Sequence, residues 1–188
     1  MKKLMIIAAM LVATLSANAQ EAGQMFIKPM VGGTLAGYRG SDVSDNLKMK
    51  LGLVAGAEFG YNMSEQFALT AGLLYTMQGA GNDKNSDYNL KLDYLNIPVL
   101  ANYYVAPGFA IKAGLQPGFL MSAKMDGHDI KDGYSKFDLS IPLGLSYEFN
   151  DFVIDGRYNL GLTKVDKDGE DKVYNSVIML TVGYKIPF

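Results

Sequence analysis

The sequence predicts an all-β chain: an eight-stranded antiparallel up-and-down transmembrane β-barrel. Three observations carry that prediction. Apolar and polar residues alternate with period 2 along arms of about twelve residues, roughly twice the length of a common globular strand. The connections between arms are alternately tight and long, the layout of barrels that cross an outer membrane. Beyond its first residues the chain has no run of about 18 consecutive apolar positions, so no spanning helix is available.

The hairpin from Phe137 to Thr163 shows the pattern most clearly. On its first arm Phe137, Leu139, Ile141, Leu143, Leu145, Tyr147 and Phe149 alternate with Asp138, Ser140, Pro142, Gly144, Ser146 and Glu148. After Asn150-Asp151, the residues Phe152, Ile154, Tyr158, Leu160 and Leu162 alternate with Asp155, Arg157, Asn159, Gly161 and Thr163. Successive side chains of a strand point to opposite faces, so each arm has one apolar and one polar face.

The start of the chain reads differently. Lys2 and Lys3 precede the apolar run Leu4 to Leu15, and Ala17-Asn18-Ala19 supplies a small-x-small cleavage pattern. This is the composition of a secretory signal peptide, with cleavage expected after Ala19 and a barrel domain at 20–188. The absence of cysteine excludes a lipoprotein anchor, disulfides and thiolate metal sites. Lys2 and Lys3 take two of the 17 basic residues, and the rest face 19 acidic ones. Such a mildly acidic chain without a basic stripe is a poor nucleic-acid binder.

The same ruler finds the other arms. The first runs from Met25 to Ala36 and the second from Leu51 to Tyr61, with Leu53, Ala55, Ala57 and Phe59 on one face. The third carries Phe67, Leu69, Ala71, Leu73, Tyr75 and Met77; the fourth, Tyr94 to Val105, sets Leu95, Ile97, Val99, Ala101 and Tyr103 against Asn96, Pro98 and Asn102. The fifth follows Ala106-Pro107-Gly108 with Phe109, Ile111, Ala113, Leu115, Phe119 and Met121, and the eighth, Ser176 to Phe188, has Ile178, Leu180, Val182, Tyr184 and Ile186. Phe67-Ala68-Leu69-Thr70-Ala71-Gly72-Leu73 is nearly restated from Phe109, and Phe152-Val153-Ile154-Asp155-Gly156 follows the same plan, a period of about 43 residues that equals one hairpin and its connection. The long connections fall at Tyr38–Lys50, Ala80–Leu92, Lys124–Ser135 and Lys164–Val173.

Side-chain size decides which face is outside. A soluble barrel would turn its apolar face inward, but eight strands enclose a narrow interior that Gly, Ser and Thr fit and rings of Leu, Tyr and Phe do not. The apolar face therefore meets lipid. Aromatic residues beside the short turns (Phe59, Tyr61, Phe67, Tyr103, Phe109, Tyr147, Phe149, Phe152, Tyr184 and Phe188) form one expected interfacial girdle, with Tyr75, Phe119 and Phe137 a sparser second one. Pro29, Pro98, Pro117 and Pro142 fall inside the arms, where bulges or broken pairing are expected.

Tyr94-Leu95-Asn96-Ile97-Pro98-Val99-Leu100-Ala101-Asn102-Tyr103-Tyr104 resembles a segment of the PorT-type outer-membrane β-barrel family of Bacteroidetes. Ile141 to Phe149, Asp155 to Thr163 and the ending Gly183-Tyr184-Lys185-x-x-Phe188 are similar to its later strands. The resemblance implies a porin-like eight-stranded barrel and transfers no catalytic or ligand-binding residues.

On the inward face the charges are Lys28, Glu58, Lys112, Asp138, Glu148, Asp155, Arg157 and Lys185, all but Asp138 near the short turns. Lys28, Glu58, Lys112, Glu148, Asp155, Arg157 and Lys185 are expected to form a paired network, because like charges alone would be costly in a low-dielectric lumen. The alternative use of the same charges is a gate or proton path. His128, the single histidine, sits in Met125-Asp126-Gly127-His128-Asp129 without a nucleophile partner and reads as a solvated loop residue. Asp166-Lys167-Asp168-Gly169-Glu170-Asp171 resembles the start of a calcium loop but lacks the sixth-position Gly and the closing Glu. The expectation is a monomeric, non-enzymatic protein of the bacterial outer membrane, without cofactor, metal or nucleic-acid partner. It would hold polar loops toward a protein or surface ligand, with membrane lipid as its other partner. A narrow solute channel and a small barrel enzyme are the rival readings.

Overall fold

A computed structural model describes residues 20–41, 47–82, 89–125, 127–165 and 172–188, and the side chains of 47, 48, 81, 82 and 89 are outside that description. The expected signal peptide, 1–19, and the calcium-like segment, 166–171, lie outside the described residues. Eight antiparallel staves form the wall. They are β1 (Met25–Arg39), β2 (Leu47–Asn62), β3 (Phe67–Asn82), β4 in two pieces (Asn89–Asn96 and Val99–Ala106) and β5 (Phe109–Met125). β6 (Phe137–Phe149), β7 (Phe152–Lys164) and β8 (Tyr174–Tyr184, continued by Ile186–Pro187) complete it. β8 pairs with β1 from Met30 opposite Gly183 to Arg39 opposite Tyr174, so the sheet closes on itself and has no open edge. A two-residue strand, His128–Asp129, leans on the end of β5.

The alternation resolves as the sequence argument requires. Leu53 is 62% exposed on the outside while Glu58 of the same strand is 0% exposed inside. That inversion of ordinary burial identifies lipid as the outer solvent. Both aromatic girdles are present: the Phe152 and Tyr184 rings lie 5.2 Å apart and those of Phe59 and Phe188 6.1 Å apart at the short-turn end. Phe119 and Phe137 meet at 5.8 Å toward the other end.

The short turns use the residues their backbone demands. Gly108 has φ 72° after Pro107, the pairing of proline and positive-φ glycine that reverses a chain in two residues. Asn150 has φ 53°, which Asn tolerates because its short side chain bonds locally.

The prolines act by interrupting one ladder while keeping another. Pro29 stays in register with Ala57 of β2, whereas β1 and β8 lose pairing at Lys28 and Pro29. Pro142 stays opposite Asn159 of β7, and the β5 ladder skips it; Pro117 stays opposite Leu139 of β6 and breaks with β4. Pro98 divides β4 itself. An antiparallel residue directs its N–H to one neighbour only, so a proline costs one side of the sheet. The bulges lie elsewhere, at Met49/Val54, Asp93/Tyr94, Tyr104/Ala106 and Tyr174/Ser176.

Two expectations need correction. The strands extend past the apolar band, β2 from Leu47, β3 to Asn82 and β4 from Asn89, so these connections are shorter than hydropathy implied. Polar residues there continue the ladder above the membrane. The lumen, moreover, is not reserved for small residues: Met30, Val54, Leu74 and Met179 form one buried cluster, and Leu90, Leu92, Tyr94, Leu120, Ala123 and Val165 another. They fit because glycines on adjacent strands leave room. A Cβ on Gly56 would come within 2.8 Å of Leu74, and one on Gly60 within 2.1 Å of the Phe26 ring.

Candidate functional site

The short-turn half of the lumen holds the charges. Lys28 comes from β1, Glu58 from β2, Lys112 from β5, Asp155 and Arg157 from β7, and period 2 turns every one of them inward. All are nearly or fully buried. Lys28 Nζ lies 2.8 Å from Glu58 Oε2 and 3.8 Å from Asp155 Oδ2. Arg157 reaches Glu58 at 2.5 Å through Nη1, and donates to Asp155 through Nε at 2.6 Å and Nη2 at 2.8 Å. Lys112 donates to Asp155. The Glu58 oxygens meet their cations as close charge contacts and not as aligned hydrogen bonds.

Three glycines make this density possible. A Cβ on Gly72 would sit 2.7 Å from Glu58 Cγ, one on Gly144 2.9 Å from Arg157 Cγ, and one on Gly183 2.9 Å from Lys28 Cγ. Each long side chain thus lies across a bare stretch of neighbouring strand.

A second layer closes the very end. Lys185 Nζ lies 3.0 Å from Glu148 Oε2 and donates to Gln20 Oε1, while Gln20 Nε2 donates to Glu148 Oε2 at 2.9 Å. The Tyr104 hydroxyl donates to Glu148 Oε1 at 2.6 Å, and Asn62 donates to Gln20 at 3.3 Å. The Lys185 ammonium stands 4.5 Å above the Phe26 ring centroid, a cation–π geometry.

The structure therefore gathers all seven sequence-assigned residues: Lys28, Glu58, Lys112, Asp155 and Arg157 in one ring, Glu148 and Lys185 in the layer beneath. It adds Gln20, Tyr104 and Asn62. Tyr104 was legible in principle, since two adjacent aromatics on a strand must face opposite ways. Asp138 lies at the other end, accepting from Thr163 at 3.1 Å and Asn175 at 2.9 Å, with no cationic partner among the described residues. His128 is exposed at the rim. Among the described residues no group of three or more His, Cys, Asp or Glu side chains could hold a metal ion.

A model of the outer membrane protein beta-barrel domain matches residues 16–167. The chain belongs to that family. It is an outer-membrane β-barrel protein, located in the bacterial outer membrane. The family layout puts the short turns, and with them the ion network, on the periplasmic side. Solved structures share the fold. Ail, the attachment invasion locus protein of Yersinia pestis, has a TM-score of 0.54 at 16% identity, over 88% of this chain and 100% of that one. Neisserial surface protein A gives 0.51 at 15% identity, over 87% and 97%. The outer membrane protein AlkL gives 0.50 at 13% identity, over 93% and 95%. No curated protein matches the sequence.

Proposed function

We propose that this barrel is a closed membrane anchor of the PorT type, whose work is done by binding at its long loops and not by conduction or catalysis. The observation that carries the reading is the buried ion network, which ties β1, β2, β5 and β7 together across the lumen. An ion or solute entering there would have to break charge pairs held in a low-dielectric interior, where parting one pair costs about 3–5 kcal/mol. A second obstruction lies toward the other end, where Tyr38, Met125, Ile130, Tyr134 and Val173 pack against the Leu90, Leu92, Tyr94 cluster. Closed at two levels, the wall leaves the polar connections as the surface offered to partners. The PorT-type assignment rests on the Tyr94–Tyr104 segment and on the later strands that resemble that family.

Purified protein in a planar lipid bilayer tests the reading. The expected record is flat, without unitary steps. Steady, reproducible conductance steps would overturn it in favour of a narrow channel, and turnover of an acyl or peptide substrate by the same preparation would favour an enzyme.

A further inference from the structure

The lipid-facing wall carries a depression that the loop-binding reading does not use. It lies over the junction of β8 with β1, in the half of the barrel nearest the short turns, and measures about 450 Å³. Pro29, Val31, Ala55, Phe152, Val182 and Tyr184 line it. The register explains its origin. Ile27 pairs with Ile186 and Met30 with Gly183, so Pro29 stands opposite Tyr184 in a stretch where the ladder between the two strands lapses. On its other side Pro29 faces Ala57, and Val31 faces Ala55. A proline and two alanines keep the floor low, while the Phe152 and Tyr184 rings, 5.2 Å apart, stand up as one wall. In a bilayer, packing rather than escape from water decides what binds an apolar surface. A dent left unfilled forfeits its contacts on one side.

The foot of the depression is polar. Asp151 precedes Phe152 in the turn, is exposed, and accepts from the Tyr184 hydroxyl at 3.1 Å. A carboxylate therefore stands beside the aromatic girdle, at the height of the headgroups. The other exposed charges at this end, among the described residues, are Glu21 and Glu65. Lys185 is buried against Glu148, so no exposed lysine or arginine there answers Asp151.

We propose that the depression seats an acyl chain of a periplasmic-leaflet phospholipid whose headgroup ends in a primary ammonium, the ethanolamine class, and that this ammonium donates to Asp151. Such a headgroup has N–H donors for a charge-assisted bond to a carboxylate. A choline headgroup carries the same charge but is fully methylated and has none. A second copy of the barrel fits the site less well. Both copies would cross the membrane in the same sense, and docking here would bring their acidic turns together.

The test places the whole barrel in nanodiscs of equal parts phosphatidylethanolamine and phosphatidylcholine with identical chains, and counts the lipid retained on the released barrel by native mass spectrometry. Wild type is expected to retain phosphatidylethanolamine about threefold over phosphatidylcholine, the scale of an exposed charge pair. Asp151→Asn can still accept from Tyr184; it should retain as much lipid but lose the preference. Ala55→Phe fills the depression with a side chain that already faces outward, and Val31→Phe fills it from the neighbouring strand. Each should lose retained lipid of both kinds while keeping the mobility of the folded barrel on unheated gels. Equal retention of the two lipids by wild type would overturn the proposal. So would undiminished retention by either folded phenylalanine variant, or the mass of a barrel dimer in place of bound lipid.

Discussion

Asp155 is the residue on which the lumen network turns, and neutralising it is the sharpest perturbation available. Its carboxylate meets Lys112, both Nε and Nη2 of Arg157, and Lys28 at 3.8 Å. Asp155→Asn keeps the shape and removes the charge, so three buried cations are left facing Glu58. At an effective dielectric of about 20, one pair at 4 Å is worth about 4 kcal/mol. Removing one partner from a buried ion pair costs about 3–5 kcal/mol, because the other stays desolvated. The expected loss for Asp155→Asn is therefore about 3–5 kcal/mol. Urea titration of the barrel folded in phosphatidylcholine vesicles, read by the mobility of the folded form on unheated gels, measures it. Lys112→Met in the same chain should recover about 0.5–3 kcal/mol, the coupling expected of residues in direct contact. An Asp155→Asn midpoint indistinguishable from wild type would refute the idea that these charges hold the barrel. A loss that Lys112→Met does not relieve would assign the effect to packing.

Three further substitutions probe other parts of the wall. Tyr104→Phe removes a hydrogen bond to a buried carboxylate and should cost about 1.5–3 kcal/mol in the same titration. Gly144→Ala would drive a methyl to 2.6 Å from the Gly156 carbonyl oxygen and against Arg157; a loss of about 1–3 kcal/mol is expected. Leu73→Arg, on the lipid face near the middle of β3, should cost about 2–4 kcal/mol in bilayers, and a neutral result there would contradict the outward assignment of that face.

Much of this architecture was legible because lipid reverses the usual rule of burial. Leu53 and Leu73, each beside a glycine, advertise their exposure by the apolar phase they share with Phe59 and Tyr75, and Glu58, Asp155 and Arg157 advertise their burial by standing in the opposite phase. Period 2 leaves no freedom: once Phe59 faces out, Glu58 must face in. What alternation does not report is height and pairing. The partnership of Arg157 with Glu58, five strands away in the chain, follows from closure of the sheet, which no local pattern encodes. The large residues of the lumen were hidden for a related reason. Leu74 and Phe26 fit only because Gly56 and Gly60 happen to lie beside them across a strand boundary, and that register is a property of the assembled wall. Gln20 was invisible as a site because it lies before the first strand and has no periodicity to read.

The distribution of the lumen charges along the chain has a kinetic consequence. Lys28 stands on the first strand and Asp155 and Arg157 on the seventh, while Lys185 follows the main segment of the last. The first hairpin pairs Lys28 with Glu58 and β7 pairs Arg157 with Asp155, but Lys112 on β5 has no anion until Asp155 arrives on β7, and the Arg157–Glu58 contact joins the second strand to the seventh. A sheet inserted only as far as β5 would hold the Lys112 ammonium without its carboxylate in hydrocarbon, a state the membrane disfavours strongly. Stepwise threading of one hairpin after another is thereby penalised, and the route that remains is concerted: the staves cross the bilayer together and the seam between first and last strand shuts as the ions meet. The closing contact is among the most sequence-distant in the molecule, so its formation should govern the rate of assembly.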